Sequence, residues 1–150
     1  HINFMDSIKK KESVNVEIEI LFNLINQVDK YSEFLPWCPK SRIISQNNKK
    51  IIGEIYVSKN FVDWKFSTEN NFIENKEIKL KLIEGPFKHL KGCWNFSKID
   101  KSNTIIDFFL EYKFSNKMIE LSVKPIFTSI MSSILDSFIS EASRIKNERK

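Results

Sequence analysis

The side chains able to move a proton or attack a substrate near neutral pH are few, and none has the partner it would need. His89 stands between Lys88 and Lys91 at the start of an alternating stretch, a setting that suits a solvated structural role; the other histidine is His1. Cys38 and Cys93 lie far apart in sequence, form no C-x-x-C pair, and show neither an activating neighbour nor metal-ligand spacing. Asp107 and Glu111 share the outward parity of their segment, unlike a buried acid–base pair. Glycine-rich phosphate loops are absent. The expectation is a protein with no catalytic residue and no metal. The chemistry left is apolar recognition. It concentrates in Asp29-Lys30-Tyr31-Ser32-Glu33-Phe34-Leu35-Pro36-Trp37-Cys38, where Pro36 removes a backbone donor and forces the chain to turn while it still carries Phe34, Leu35 and Trp37. Such a corner either folds under as core or forms the rim and lid of a cavity, where Trp37 could meet a bilayer interface.

The elements that must position this corner follow from hydrophobic period. Asn15 is read as the N-cap of a helix with Ile18, Leu21, Phe22, Ile25 and Val28 on one face, followed by a helical turn near Lys30 to Leu35. Period-two segments come next: Ile51 to Ser58, Val62 to Ser67, Ile78 to Leu82, Leu90 with Trp94 and Phe96, and Ile106 to Phe114. Turn-like breaks fall at Gln46-Asn47-Asn48, Asn70-Asn71, Glu74-Asn75-Lys76, Glu84-Gly85-Pro86 and Asp100-Lys101-Ser102-Asn103. Short connections make a meander the simplest topology. A last long helix is capped by Ser115 or Asn116. A break or kink is expected just before Pro125. Beyond it Phe127, Ile130, Met131, Ile134, Phe138, Ala142 and Ile145 form a stripe, widened by Ile126, Leu135 and Ile139, opposite a serine-rich face. With a first strand near Asn3 to Glu12, this is one α+β domain over residues 1–150. A curved antiparallel sheet of about six or seven strands wraps a long C-terminal helix, with two short helices after the first strand: a helix-grip fold.

Composition bounds the partners. The chain has 150 residues, 13 of them Phe, enough for a real core. The net charge of +5 suits anionic headgroups or RNA phosphate, or simply a solvated surface. Arginine, the residue of bidentate phosphate recognition, appears only at Arg42, Arg144 and Arg149, and nothing points to DNA. No segment is read as reaching the roughly 20 apolar residues that span a bilayer. His1-Ile2-Asn3-Phe4 resembles neither a secretory signal nor an Arg-rich transit peptide, and without an initiator Met a presequence stays open. Unpaired cysteines favour a reduced, intracellular setting.

Three motif groups resemble a known family. They are Val28-Asp29-x-Tyr31-x-x-Phe34-Leu35-Pro36-Trp37-Cys38-x-x-Ser41; Gly85-Pro86-Phe87-x-x-Leu90 followed by Trp94-x-Phe96; and Phe108-x-Leu110-x-Tyr112-x-Phe114. Together, and with Phe127, Met131 and Phe138, they resemble the coenzyme Q-binding family that includes the bacterial ribosome association toxins, within the START-like, polyketide cyclase-like superfamily. The resemblance runs from about Ser7 to Ile145. It implies a helix-grip fold with an elongated apolar cavity and a bound ubiquinone or similar prenyl quinone, serving respiratory electron transfer without catalysis. The toxin members imply instead a translation regulator on the large ribosomal subunit. The resemblance further implies a bacterial cytoplasmic protein peripheral to an anionic inner membrane, or a mitochondrial one on the matrix side of the inner membrane. Under this resemblance the ligand-binding candidates are Phe34, Leu35, Trp37, Ser41, Trp64, Phe66, Trp94, Phe108, Tyr112, Phe127, Met131 and Leu135. A prenyl tail moving from bilayer to pocket forgoes most of the roughly 0.8 kcal/mol per methylene that burial from water would give. Selectivity therefore has to come from cavity shape and from donors to the acceptor-only quinone carbonyls. Ser41, Tyr112 and the indoles of Trp37 and Trp94 are the candidates.

Overall fold

The computed structural model describes residues 5–149. The expected first strand begins within it as β1 (Asp6–Val14); Asn3 and Phe4 lie outside the described residues. There follow α1 (Ile18–Asn26), a 3₁₀ helix (Val28–Glu33), β2 (Ser41–Gln46), β3 (Lys50–Lys59), β4 (Val62–Ile73), β5 (Glu77–Glu84), β6 (Phe87–Asp100), β7 (Asn103–Phe114) and α2 (Lys117–Glu148). The seven strands form one antiparallel sheet in the order β1-β7-β6-β5-β4-β3-β2. From β2 to β7 it is the meander that short turns require. The consecutive strands β1 and β2 lie at opposite edges, so α1 and the 3₁₀ helix carry the chain from one edge to the other.

Register aligns whole rows of side chains. Ile51, Asn70, Leu80, Gly92, Leu110 and Ile8 are paired in succession from β3 to β1 on the concave face. Phe72, Ile78, Trp94 and Phe108 form the next row. The α2 stripe packs onto these rows. Phe138 is 0 % exposed, with the rings of Tyr31, Trp94 and Phe34 at 5.1, 5.4 and 5.6 Å.

Several local readings change. Asn15 does not cap α1; the cap position is Glu17, without a side-chain hydrogen bond. The Asn15 amide donates to Ser102 O and Asn103 Oδ1, and its oxygens accept from Lys146 Nζ, tying β1's exit to the end of α2. Asn70-Asn71 is no turn, since both sit inside β4; the missed turn is at Asn60, which takes a left-handed φ of 57°. Asn116 caps α2 by accepting from Ile119 N at 2.9 Å. The helix then continues as one element past Pro125, instead of breaking there. By length and composition α2 could cross a bilayer, contrary to the sequence reading. Its apolarity has a different cause here: Phe127, Ile130, Met131, Ile134, Leu135 and Phe138 are buried against the sheet.

Candidate functional site

α2 does not close completely on the sheet. A cavity of about 80 Å³ lies between them. β3 contributes Gly53 and Ile55, β4 Phe66, Thr68 and Asn70, and β5 to β7 contribute Ile78, Leu80, Leu90, Trp94, Phe108 and Leu110. Phe127, Met131, Ile134 and Phe138 of α2 close it from above, with Ile25, Val28 and Tyr31 at one side. Gly53 lets the 3₁₀ helix come this near. A Cβ there would stand 2.9 Å from Val28 Cγ1, closer than packed carbons tolerate.

The wall is apolar except at four side chains, one of them the indole of Trp94. Tyr31 Oη donates to the Ile25 carbonyl, and burial pushes its phenol well above the usual range, so it stays protonated. Thr68 Oγ1 donates to Asn70 Oδ1 at 2.7 Å. Asn70 is 6 % exposed, and either orientation of its amide leaves at least one N–H with no partner among the described residues. This is an unspent donor inside an apolar chamber, suited to a carbonyl or other acceptor.

Of the sequence candidates, Phe66, Trp94, Phe108, Phe127 and Met131 line the cavity. Trp64 lies outside it, in a narrow crevice between the β3–β4 hairpin and α2 that Val57, Val62, Val123 and Ile126 also line. Phe66 and Phe127 belong to both walls and form the partition between crevice and cavity. Leu35 and Trp37 are buried in the core beneath the corner and do not line the cavity; of the two readings, the inward one describes them. The Trp37 carbonyl accepts from Ser58 N at 2.8 Å, which pins the corner to β3. Phe34 is half-buried against Tyr31 and Phe138, at ring distances of 6.2 and 5.6 Å, also off the wall. Leu135 is buried elsewhere along α2.

The expected donors are mostly engaged. Ser41 Oγ accepts from Ser32 N at 3.0 Å and donates to Asp29 O at 3.2 Å, fastening the 3₁₀ helix to β2. Tyr112 Oη meets Thr128 Oγ1 at 3.4 Å, away from the cavity. Only Trp94 among the four is on the wall. Asn70 was missed because an Asn-Asn pair favours a turn, and Thr68 lay just beyond the segment read as a strand. The signal was present nonetheless: Phe66, Thr68, Asn70 and Phe72 share one parity.

Acid–base chemistry finds little footing. Among the described residues Tyr31 is the only titratable group on the wall. Burial pushes the Cys38 and Cys93 thiols up, so both stay un-ionised near neutral pH. His89 Nε2 lies 3.1 Å from Glu111 Oε1 on the opposite face of the sheet.

Known proteins share this architecture and, in part, this sequence. Residues 14–139 match the polyketide cyclase / dehydrase and lipid transport family. The "Ribosome association toxin RatA" of Vibrio cholerae is 33% identical over 96% of this chain and 100% of its own. More distantly, the "Coenzyme Q-binding protein COQ10 homolog B, mitochondrial" of Xenopus laevis is 24% identical over 85% of this chain and 54% of its own. The Zhui aromatase/cyclase of a Streptomyces species superposes with a TM-score of 0.83 at 13% identity, over 94% of this chain and 95% of its own. At that identity the likeness concerns the fold alone.

Proposed function

The chain belongs to the polyketide cyclase / dehydrase and lipid transport family, and we propose that it acts there as a non-catalytic binder of a prenyl quinone such as ubiquinone, or a similar lipid. The observation that carries this reading is the Asn70 amide, a donor without a partner among the described residues in a mostly apolar wall where the Tyr31 and Thr68 hydroxyls are already engaged. Quinone carbonyls accept hydrogen bonds and donate none, so such a donor selects them. The cavity, at about 80 Å³, is smaller than the roughly 300–1,000 Å³ of pockets that enclose whole ligands. It is about half the size of a cavity that admits benzene, so a quinone ring or its tail would enter as α2 parts from the sheet along the Phe66–Phe127 partition. The protein would meet the inner membrane of a bacterium peripherally, through lysines contributing about 1 kcal/mol each near an anionic surface.

The test is titration with a short-tailed ubiquinone, followed by quenching of Trp94. Asn70→Leu should weaken binding about 2- to 10-fold, the worth of one neutral hydrogen bond. An undiminished affinity, or no bound lipid by mass spectrometry of an organic extract, would remove the reading.

A second reading has its own support. The relative named for ribosome association is matched over its entire length, whereas the coenzyme Q-binding relative is matched over about half. Association with the large ribosomal subunit is therefore proposed beside ligand binding. Co-sedimentation that falls with rising salt is its signature.

A further inference from the structure

The convex face of the sheet carries none of the cavity and has its own pattern. One row of paired residues there reads Lys9, Phe109, Cys93, Lys79, Asn71, Lys50 from β1 to β3. The next reads Ser7, Glu111, Lys91, Lys81, Glu69, Ile52. These two rows set five lysines against two carboxylates; the flanking row on the same face adds Lys11 together with Asp107 and Glu77, and Lys79 pairs with Glu77 at 3.5 Å. Six strands at about 4.8 Å spacing make the stripe about 24 Å long. Glu69 is shared by Lys50 at 3.6 Å and Lys81 at 3.2 Å, and Glu111 lies against His89. Lys9, Lys91 and the neighbouring Lys11 form no ion pair with any described residue, and all three are exposed. Phe109, 38 % exposed, is an aromatic ring set among these cations.

Lysines on an edge strand also deter sheet-to-sheet pairing. That explains Lys9 and Lys11 on β1, but not Lys79, Lys81 and Lys91, which sit on the interior strands β5 and β6. A lysine stripe with one exposed ring is the composition that tracks a nucleic-acid backbone, lysine against phosphate and ring against base.

We propose that this convex stripe, centred on Lys9, Lys91, Lys81 and Phe109, is the surface that holds the phosphate backbone of ribosomal RNA. The proposal rests on the ribosome-association reading and adds where the contact is made. It also places RNA and apolar ligand on opposite faces of one sheet, so both can be held together.

The test uses the triple variant K9E/K11E/K91E. None of the three forms an ion pair with a described residue, but Lys11 and Lys91 stand across from Asp107 and Glu111. K9Q/K11Q/K91Q is therefore run beside the charge reversal to separate lost binding from like-charge repulsion in the sheet, and it should show the same loss in smaller measure. A control, K59E/K98E/K101E, changes the charge equally at exposed hairpin ends. Each is sedimented with purified large ribosomal subunits and titrated against a ribosomal RNA helix over a salt series. The wild type and the control should bind alike. The stripe variant should lose at least tenfold in affinity at low salt. Its dependence of log affinity on log salt should be shallower, by about 0.7–0.9 for each phosphate it no longer neutralises. Phe109→Ser should lower affinity without changing that slope. Equal losses in variant and control would overturn the stripe, since net charge alone would then suffice. Wild-type behaviour of the stripe variant would overturn it too, while leaving ribosome association standing. If the wild type ignores subunits yet binds the RNA helix through these lysines, ribosome association fails and the RNA surface stands. If it binds neither, or binds only anionic vesicles through these lysines, both fail.

Discussion

Along β4 alternate residues lead different lives. Phe66, Thr68, Asn70 and Phe72 face α1, α2 and the cavity, whereas Lys65, Glu69 and Asn71 face water within a lattice of charges. The concave face is held by buried area. Its rings touch edge-on at 4.9 to 6.4 Å around Phe87, Tyr112 and Phe127, and each aromatic buried from water contributes about 1.5–3 kcal/mol. The convex face is held by ion pairs such as Lys50–Glu69 and Lys81–Glu69, in which the lysines reach into solvent and Glu69 is partly buried. Such pairs are each worth about 0–1 kcal/mol. Stability therefore resides on one face, and the other is left free to vary its charge. That division would let one thin sheet hold the proposed ligand on one side and meet the proposed polyanion on the other.

The comparison can be broken most severely at Phe138, whose truncation empties the space between α2, the corner and Trp94. Phe138→Ala should cost about 3–5 kcal/mol, read as a lower urea midpoint; a loss near zero would mean that the concave face is not where stability resides. Gly53→Val comes next. Its added carbons would collide with Val28 and intrude on the cavity wall. Overpacking of this kind costs about 1–3 kcal/mol and should also abolish quinone binding, whereas unchanged binding would move the ligand elsewhere.

The smallest effect sharpens the convex side. Arg42 Nε donates to Glu54 Oε1 at 2.7 Å, with Lys65 Nζ 4.0 Å from the other oxygen. The Arg42 hydrogen bond first, then the nearby positive charges, hold this carboxyl below its ordinary range. Because the folded value is depressed, the carboxylate adds stability above its unfolded pKa of about 4.3 and loses it as pH falls through the folded value. Glu54→Gln should therefore be less stable than wild type at pH 6 by a gap that closes on acidification. A gap unchanged down to strongly acid pH would show that charge is not what Glu54 contributes.

How far the sequence could be read depended on the kind of signal. Trp94, Phe108, Phe127 and Met131 reach the cavity wall by simple parity or helical spacing. Asn70 was hidden because its own preference for turns opposed its register, and register prevailed once Thr68 supplied a hydrogen bond. Asn15 had the chemistry of a cap, but contacts with Asn103 and Lys146, distant in sequence, claimed it. Ser41 and Tyr112 were legible as donors; that Asp29 and Thr128 already engaged them was not.

Alternation and helical period are local properties, so the chain alone determined strands with one apolar face, a long gripped helix and the helix-grip architecture. Whether facing side chains meet or leave a gap is not local. It follows from how far the Gly53–Val28 contact and the bulky Phe138 cluster hold α2 and the 3₁₀ helix from the sheet. Likewise, lysines scattered through the sequence become one stripe only when register aligns six strands. The hollow and the stripe were decided by tertiary packing, because both depend on distances between residues far apart in the chain.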